Sequence, residues 1–444
     1  MTGGRDVSRT GGFCNDHRMA DESSALFTDQ YELTMLTAAL ADGTAGRRCS
    51  FEVFGRRLPN GRRYGVVAGV ARVLDAVADF RFTGTQLDGL LAADIINAPT
   101  AEFLADYRFT GDIIGYAEGE PYFPYSPILT VTGTFAEAVL LETVVLSILN
   151  HDSAVAAAAA RMVSAAGDRP IIEMGSRRTH EEAAVASARA AYLTGFTATS
   201  NLEAGMRWGI PTTGTSAHAF TLLHDTEQAA FESQVAAMGV GTTLLIDTYD
   251  IGQGIETAVR VAGPKLGAIR IDSGDLAVVA HQSRAQLDAL GAIGTKIVVS
   301  GDLDEFAIAA LAAAPVDSYG AGTAVVVGSG VPTAGLVYKL VEVDGRPVTK
   351  RSENKGSRGG RKLAYRTHRA SGTATGEIAV QASAGYQPSE SERLLTLDLV
   401  RDGQRLFDTR LEESRAHHQA AMAVLPWEAL KLSKGDPGLD VSVS

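Results

Sequence analysis

Cysteine is nearly missing: the 444 residues hold two, Cys14 and Cys49. Two thiols build neither a disulfide framework nor a cysteine-rich zinc site. A reducing compartment, the cytoplasm, is the simplest setting. Positive charge is in deficit as well. Forty lysines and arginines against 52 acids leave a formal net charge of −12, which argues against non-specific nucleic-acid binding. It leaves anionic small molecules open, because a local arginine cluster overrides the global sign. Long apolar runs are absent too. A stretch such as 154–160 is far too short to cross a bilayer, so no membrane partner is expected. Residues 1–20 carry Arg5, Arg9 and Arg18 with no apolar segment behind them, which is not a secretory pattern. They read as a disordered leader, with Met19 as an alternative start.

What is present is an ordinary globular composition, 45% hydrophobic and 21% charged. The length suits two domains or one barrel with additions. From about 169 to 327, short β-rich runs alternate with alanine-rich helical runs. Candidate strands are 170–173, 196–200, 212–215, 242–247, 268–271, 296–299 and 318–321. Their spacing is that of βα units. Thr179 with Glu182 forms a T-x-x-E capping box for one helix, which Gly195 stops, and Asp302 with Glu305 resembles a second start. Each strand is followed by polar groups: Arg177 and Arg178, Ser200 and Asn201, His218, Asp247 and Asp250, Arg270 and Asp272, Asp302, Gly322 and Thr323. A parallel barrel gathers all strand C-termini on one rim, whereas an open sheet spreads them. The expected class is therefore α/β, an irregular, incomplete TIM-like barrel over 151–335.

The flanks differ. Residues 51–69 read as two strands around a Pro-Asn-Gly turn. VEVDGRPV and LDLVRDGQRLF each set Asp-Gly between β-prone runs, a hairpin signal. Residues 21–150 and 336–444 are expected to pack together as a flanking α+β domain built from both ends of the chain. The basic, glycine-rich stretch 351–362 reads as a surface loop.

The chemistry concentrates on the strand ends. IPTTGTSAHAF, at 210–220, sets His218 behind a small, hydroxyl-rich run. An imidazole suits proton or phosphoryl transfer near neutrality. Arg177 and Arg178 precede a helix and bind an anion bidentately, or else pair with Glu181 or Glu182. Arg270 and Asp272 alternate on one strand and so share a face. They pair with each other, or hold a polyol and its phosphates. Asp275 reads as a helix cap, and Asp247 and Asp250 as caps or ligands of a phosphate-bound metal. Glycine turns at 301 and 320–322 suit a phosphate.

The ordered set TDQYELTM, FEVFGRRLP, GSRRTHEEA, TGTSAHAF, LIDTYDI, IRIDSGDL and YGAGT spans about 28 to 327 and resembles the nicotinate phosphoribosyltransferase family. The resemblance implies an enzyme of NAD salvage joining nicotinate to phosphoribosyl pyrophosphate. It implies ATP as co-substrate, coupled through a phosphohistidine, Mg²⁺, and a homodimer with active sites near the subunit interface. It makes His218 the phosphohistidine and places Tyr31 on the pyridine ring across that interface. Thr215 and Arg270 would contact nicotinate, and Arg177 the base carboxylate or the phosphoribosyl group. Asp272 and Asp247 would bind ribose or Mg²⁺. Gly301, Gly322 and Thr323 would receive the 5′-phosphate, with Asp302 among the substrate-binding residues. A nicotinamide-specific relative would carry an aspartate about where Ser200 stands, and a carboxylate there would repel nicotinate. A quinolinate-type enzyme, a catalytically silent relative and a Schiff-base aldolase each match the residues less well.

Overall fold

The computed structural model describes residues 23–350, 358–406 and 410–443. The expected leader, and residues 351–357 of the basic loop, lie outside them. Six parallel strands form the central sheet, in the order Ala198–Thr199, Ile171–Glu173, Ser318–Ala321, Lys296–Gly301, Ala268–Ile271, Thr243–Leu245. Read cyclically, this is sequence order. Each strand pairs with its successor, and the first pairs with the last, Ile171 opposite Tyr319. Only the step from 199 to 243 is open. That is a curled sheet with one gap, the incomplete barrel expected. The strand proposed at 212–215 does not form. Only Thr212 touches the sheet, through a bridge to Thr199, and the exposed residues beyond it run into the gap instead.

Two helix starts differ from expectation. Helix Glu181–Leu193 is capped by His180, whose Nδ1 accepts from the Glu182 amide at 3.3 Å, not by Thr179. Helix Glu305–Ala310 is capped by Asp304, which accepts from the amides of Phe306 and Ala307, not by Asp302. In both, the extended residue sits directly before the first helical turn, and only there does a side chain reach the open amides. Asp250 and Asp275 cap as expected, accepting from Gln253 and Val278.

Helix Glu142–Ala166 is the spine of the molecule. Val144, Val145, Leu149 and Ala154 lie in one hydrophobic core. Val155, Ala156, Ala159, Ala160 and Met162 lie in the other, under the barrel. With the residues just before it the helix is long and apolar enough to cross a bilayer, more so than the run 154–160 alone indicated. It is instead packed against helices Val70–Ala78, Glu181–Leu193 and Glu305–Ala310. Its alanines let the neighbouring helix approach closely. Its three charges are paired: Glu142 with Lys339 at 3.4 Å, Asp152 with Arg72 at 2.7 Å and Arg161 with Glu305 at 2.9 Å.

A seven-stranded antiparallel sheet flanks the barrel, in the order Arg346–Pro347, Leu336–Val343, Arg48–Gly55, Leu129–Thr134, Asp112–Tyr116, Thr396–Arg401, Gln404–Arg405. Strands from both ends of the chain interleave in it. Both Asp-Gly hairpins form. Asp344 and Gly345 have φ +48° and +72°, and Asp402 and Gly403 have +47° and +71°, the left-handed pairs that a two-residue turn needs. The strands around Pro59–Gly61 exist but do not pair with each other. Arg48–Gly55 joins the large sheet, whereas Gly65–Val66 pairs with Pro121–Tyr122. Lys362, at the end of the expected loop, is buried against Glu52 at 2.9 Å. It begins a strand of a second, four-stranded mixed sheet.

His418, on helix Leu411–Ala423, is 5% exposed and donates from Nδ1 to the Gly119 carbonyl at 2.8 Å. Burial pushes its pKa down to about 4. Above pH 6.5 the ring is neutral in both states. Below it the unfolded chain takes up a proton that the folded one refuses, so stability falls as pH drops toward 4. The expected loss is about 3 kcal/mol. Urea midpoints measured across that window should show a flatter slope for His418→Asn than for the wild type.

Candidate active site

Parallel pairing brings every strand C-terminus to one rim, and the side chains there form a connected set. Arg270 ends one strand and Asp272 follows it. Asp247 lies two residues beyond its strand, and Ser300 and Gly301 close theirs. His218 enters from the gap, as the first residue of the short helix His218–Leu222. Its Nε2 lies 3.0 Å from Asp247 Oδ1. The other carboxylate oxygen of Asp247 accepts from the Asp272 amide at 2.8 Å and the Ser273 hydroxyl at 2.7 Å.

Both oxygens of Asp247 are therefore used inside the protein, and its side chain is 1% exposed. It holds the imidazole, a pairing the sequence did not show. Burial raises its pKa, but hydrogen bonds from Ser273, the Asp272 amide and His218 outweigh that and hold it below the usual carboxylate range. An ionised aspartate only accepts, so Nε2 carries the hydrogen and Nδ1 keeps its lone pair. The His218 side chain is 41% exposed, so that lone pair is accessible to a reactant.

Arg270 lies beside this pair. Its Nε donates to Ser300 Oγ at 2.8 Å, and Nη1 to Thr215 Oγ1 at 3.0 Å. Nη2 stands 3.4 Å from Asp272 Oδ1, and Ser300 donates to that same oxygen. Asp272 Oδ2 has no hydrogen-bond partner among the described residues. Arg270 and Asp272 thus share a face, as their alternation required. No group of three or more histidine, cysteine, aspartate or glutamate side chains is arranged for a metal among the described residues. A magnesium ion needs no such group. It is held by one or two carboxylates together with substrate phosphates and water, and the unused Asp272 oxygen fits that use.

Arg177 and Arg178 follow the strand Ile171–Glu173, exposed and, among the described residues, without an ion pair. The alternative pairing is taken elsewhere: Glu182 engages Arg207 at 2.8 Å and Glu181 faces His180 at 3.7 Å. Both arginines remain available to an anion. Ser200 is exposed beyond its strand, its amide bonded to the Glu173 carbonyl at 2.8 Å. Its neighbour Asn201 is a cap, accepting from Ala204 and donating to Ser176 at 3.0 Å. Asp302 is exposed, freed from capping by Asp304. Gly301 has φ +143° with open space where a side chain would stand, so its need for glycine is conformational. Gly322 precedes Thr323 at a short helical turn after the last strand.

Tyr31 is not brought to this set within the chain. It lies on helix Gln30–Asp42, 45% exposed, and its neighbours are Thr143, Glu142 and Glu32. Burial and the two carboxylates push its hydroxyl up to about 12. The sequence reading missed Ser300, Ser273 and Glu173. Glu173 is 1% exposed and accepts from Thr199 and from the Gly175 amide. It thereby anchors the arginine-bearing loop, and burial raises its pKa. Its signal was a carboxylate closing an apolar strand.

A sequence model of the nicotinate phosphoribosyltransferase (NAPRTase) N-terminal domain matches residues 26–150. The chain is 59% identical to a nicotinate phosphoribosyltransferase of Mycobacterium tuberculosis, over 94% of this chain and 95% of that protein. It is 38% identical to one of Bacillus subtilis, over 79% of this chain and 74% of that protein. The solved structure of human nicotinic acid phosphoribosyltransferase matches with a TM-score of 0.79 at 26% identity, covering 94% of this chain and 97% of that one.

The tautomer is directly measurable. Long-range ¹H–¹⁵N spectra should show His218 protonated on Nε2 in the wild type. Asp247→Ala should lose that fixed tautomer, and a predominantly Nδ1–H ring in the wild type would contradict the geometry.

Proposed function

The chain belongs to the nicotinate phosphoribosyltransferase family, and on that premise we propose that it makes nicotinate mononucleotide from nicotinate and phosphoribosyl pyrophosphate, with ATP coupled through phosphorylation of His218. The observation that carries this reading is the junction of two devices on one rim. One is an imidazole held by Asp247 with Nδ1 free. The other is the Arg270–Ser300–Asp272 cluster beside it.

The nicotinate ring nitrogen attacks C1 of the donor as the bond from C1 to the pyrophosphate oxygen breaks. The pyrophosphate leaves with that electron pair, and positive charge builds at C1. Arg270, with Thr215 beside it, meets the carboxylate of the base. Arg177 and Arg178 meet anionic groups of the donor, and Asp272 meets its ribose hydroxyls. The glycine turns at Gly301 and Gly322, with Thr323 and Asp302, receive the 5′-phosphate. Asp272, through its second carboxylate oxygen, would help hold a Mg²⁺ ion bound with the donor, and that ion would supply charge neutralisation for the leaving pyrophosphate. Donors fixed before reaction stabilise this charge more than mobile water does.

In the ATP half-reaction, Nδ1 of His218 takes the γ-phosphoryl group and ADP leaves. The imidazolium that forms keeps its Nε2 hydrogen on Asp247, whose charge stabilises it. Phosphorylation adds charge and acceptor oxygens at the mouth of the donor site. That spends ATP energy on binding, where it raises the rate only through what it adds in the transition state. Ser200 supports nicotinate over nicotinamide, since no carboxylate repels the acid there. Magnesium and ATP are thus the implied cofactor and co-substrate.

We also propose a homodimer in the cytoplasm. Large apolar side chains flank the gap, with Leu202 at 76%, Met206 at 73%, Leu222 at 63% and Leu223 at 77% exposure. The N-terminal segment exposes Phe27 at 70% and Tyr31 at 45%. Patches of this kind mark interaction surfaces, and Tyr31 then acts on the neighbouring subunit's ring.

The test incubates the protein with labelled nicotinate or nicotinamide, phosphoribosyl pyrophosphate and Mg²⁺, with and without ATP. Nicotinate mononucleotide is expected, with ATP stimulation. His218→Asn should abolish the stimulation, and coupling that survives the change overturns the phosphohistidine. Asp247→Asn, which cannot hold the tautomer, should cut the ATP-stimulated rate by roughly a hundredfold or more.

A further inference from the structure

We infer that Ser300 is a positioning residue for this site, the spacer that keeps Arg270 and Asp272 apart as two separate binding groups. The inference rests on the functional reading above and assigns a residue to it that carries no charge of its own. Ser300 is 3% exposed, so it does not act from the surface.

Its proton has one possible arrangement. Arginine has only donors, so Ser300 Oγ must accept from Arg270 Nε, at 2.8 Å. A carboxylate has only acceptors, so the Ser300 hydroxyl must donate to Asp272 Oδ1. The hydroxyl is thereby fixed in both roles. The fold sets it there through strand register. Val298 pairs with Arg270 in the parallel ladder, so Ser300, two residues on, shares the face of Arg270 and Asp272. On the other side Ser300 pairs with Gly320. A side chain at 320 would stand 3.1 Å from Ser300 Cβ and 2.8 Å from Met174 Sδ, so the neighbouring strand leaves the serine its room by having none.

The consequence lies in what the spacer prevents. Arg270 and Asp272 make one oblique contact, Nη2 to Oδ1 at 3.4 Å. Opposite charges this close, in a half-buried site, favour a forked pair with two parallel hydrogen bonds. Such a pair would draw the guanidinium from Thr215, which it now reaches at 3.0 Å, and would fill the open oxygen of Asp272. By taking Nε and Oδ1 for itself, Ser300 leaves Nη1 and Nη2 turned toward the base and Oδ2 toward the donor. Without the hydroxyl, Nε is also left with no acceptor.

Three variants test this: Ser300→Ala, Ser300→Cys and Ser300→Thr, each followed by steady-state kinetics, thermal melting and the Arg270 Nε–H resonance. In Ala and Cys, the KM values for nicotinate and for phosphoribosyl pyrophosphate should rise about tenfold or more, with kcat changing less than KM. The Arg270 Nε–H, slowly exchanging in the wild type, should exchange fast. Threonine, which keeps the hydroxyl, should return both KM values to within about threefold of the wild type. A purely structural serine would move the melting temperature and leave both KM values alone. Ala and Cys variants with unchanged KM values beside an active wild type overturn the inference, as does an unaltered Nε–H signal. A wild type that makes no mononucleotide overturns the functional reading instead. The Nε–H comparison between wild type and Ala then still decides whether Ser300 is the spacer.

Discussion

The pairing of Ile171 with Tyr319, first barrel strand against last, is the constraint on which the site depends. It bends six short parallel strands into a ring with a single opening. Parallel strands point their C-termini the same way, so closure turns a dispersed set of residues into one rim. Arg177, Arg270, Asp272, Ser300 and Gly322 owe their shared location to it. The opening matters equally. Beyond the buried Ile210, the largely exposed segment 211–217 makes only the bridge at Thr212 and leads to His218, which meets Asp247.

Within the rim, the chemistry is set by who is already satisfied. Asp247 is a buried carboxylate that would be costly alone, and it spends both oxygens on fixed donors. That fixes a tautomer and leaves the opposite nitrogen of the ring bare. Arg270 and Asp272 are kept only partly satisfied, each with atoms to spare for a ligand. The side chains of Arg177 and Arg178 make no ion pair among the described residues. The gradient runs from an acid satisfied within the fold to exposed arginines that carry no ion pair among the described residues. The rest of the molecule supports this arrangement from below. Helix Glu142–Ala166 threads both cores and carries its charges as closed pairs, and the interleaved antiparallel sheet ties the two chain ends to it.

Much of this was legible in the residues. The βα rhythm, the Asp-Gly hairpins, the caps at Asp250 and Asp275, and the shared face of Arg270 and Asp272 all follow from local periodicity or local backbone chemistry. The misreadings share one cause. Thr179 and Asp302 were taken as caps because motif spacing matched, but the true first turn lies one or two residues later, where the backbone leaves the extended region. Thr212–Thr215 was β-prone, yet a strand needs partners on the sheet, and only Thr212 has one. Asp247 reads from the sequence as a cap or a ligand, and nothing local shows the imidazole it holds. Its partners lie 25 to 29 residues away, beyond any local pattern.

The sequence by itself determined which elements form and which reactive side chains follow each strand, because side-chain alternation and turn geometry act over a few residues. The tertiary structure alone decided their company. It set which acid holds the imidazole, which hydroxyl separates Arg270 from Asp272, and which arginines stay unpaired. Those choices depend on strand register and ring closure between residues tens to more than a hundred positions apart, where packing and not local preference selects the partner.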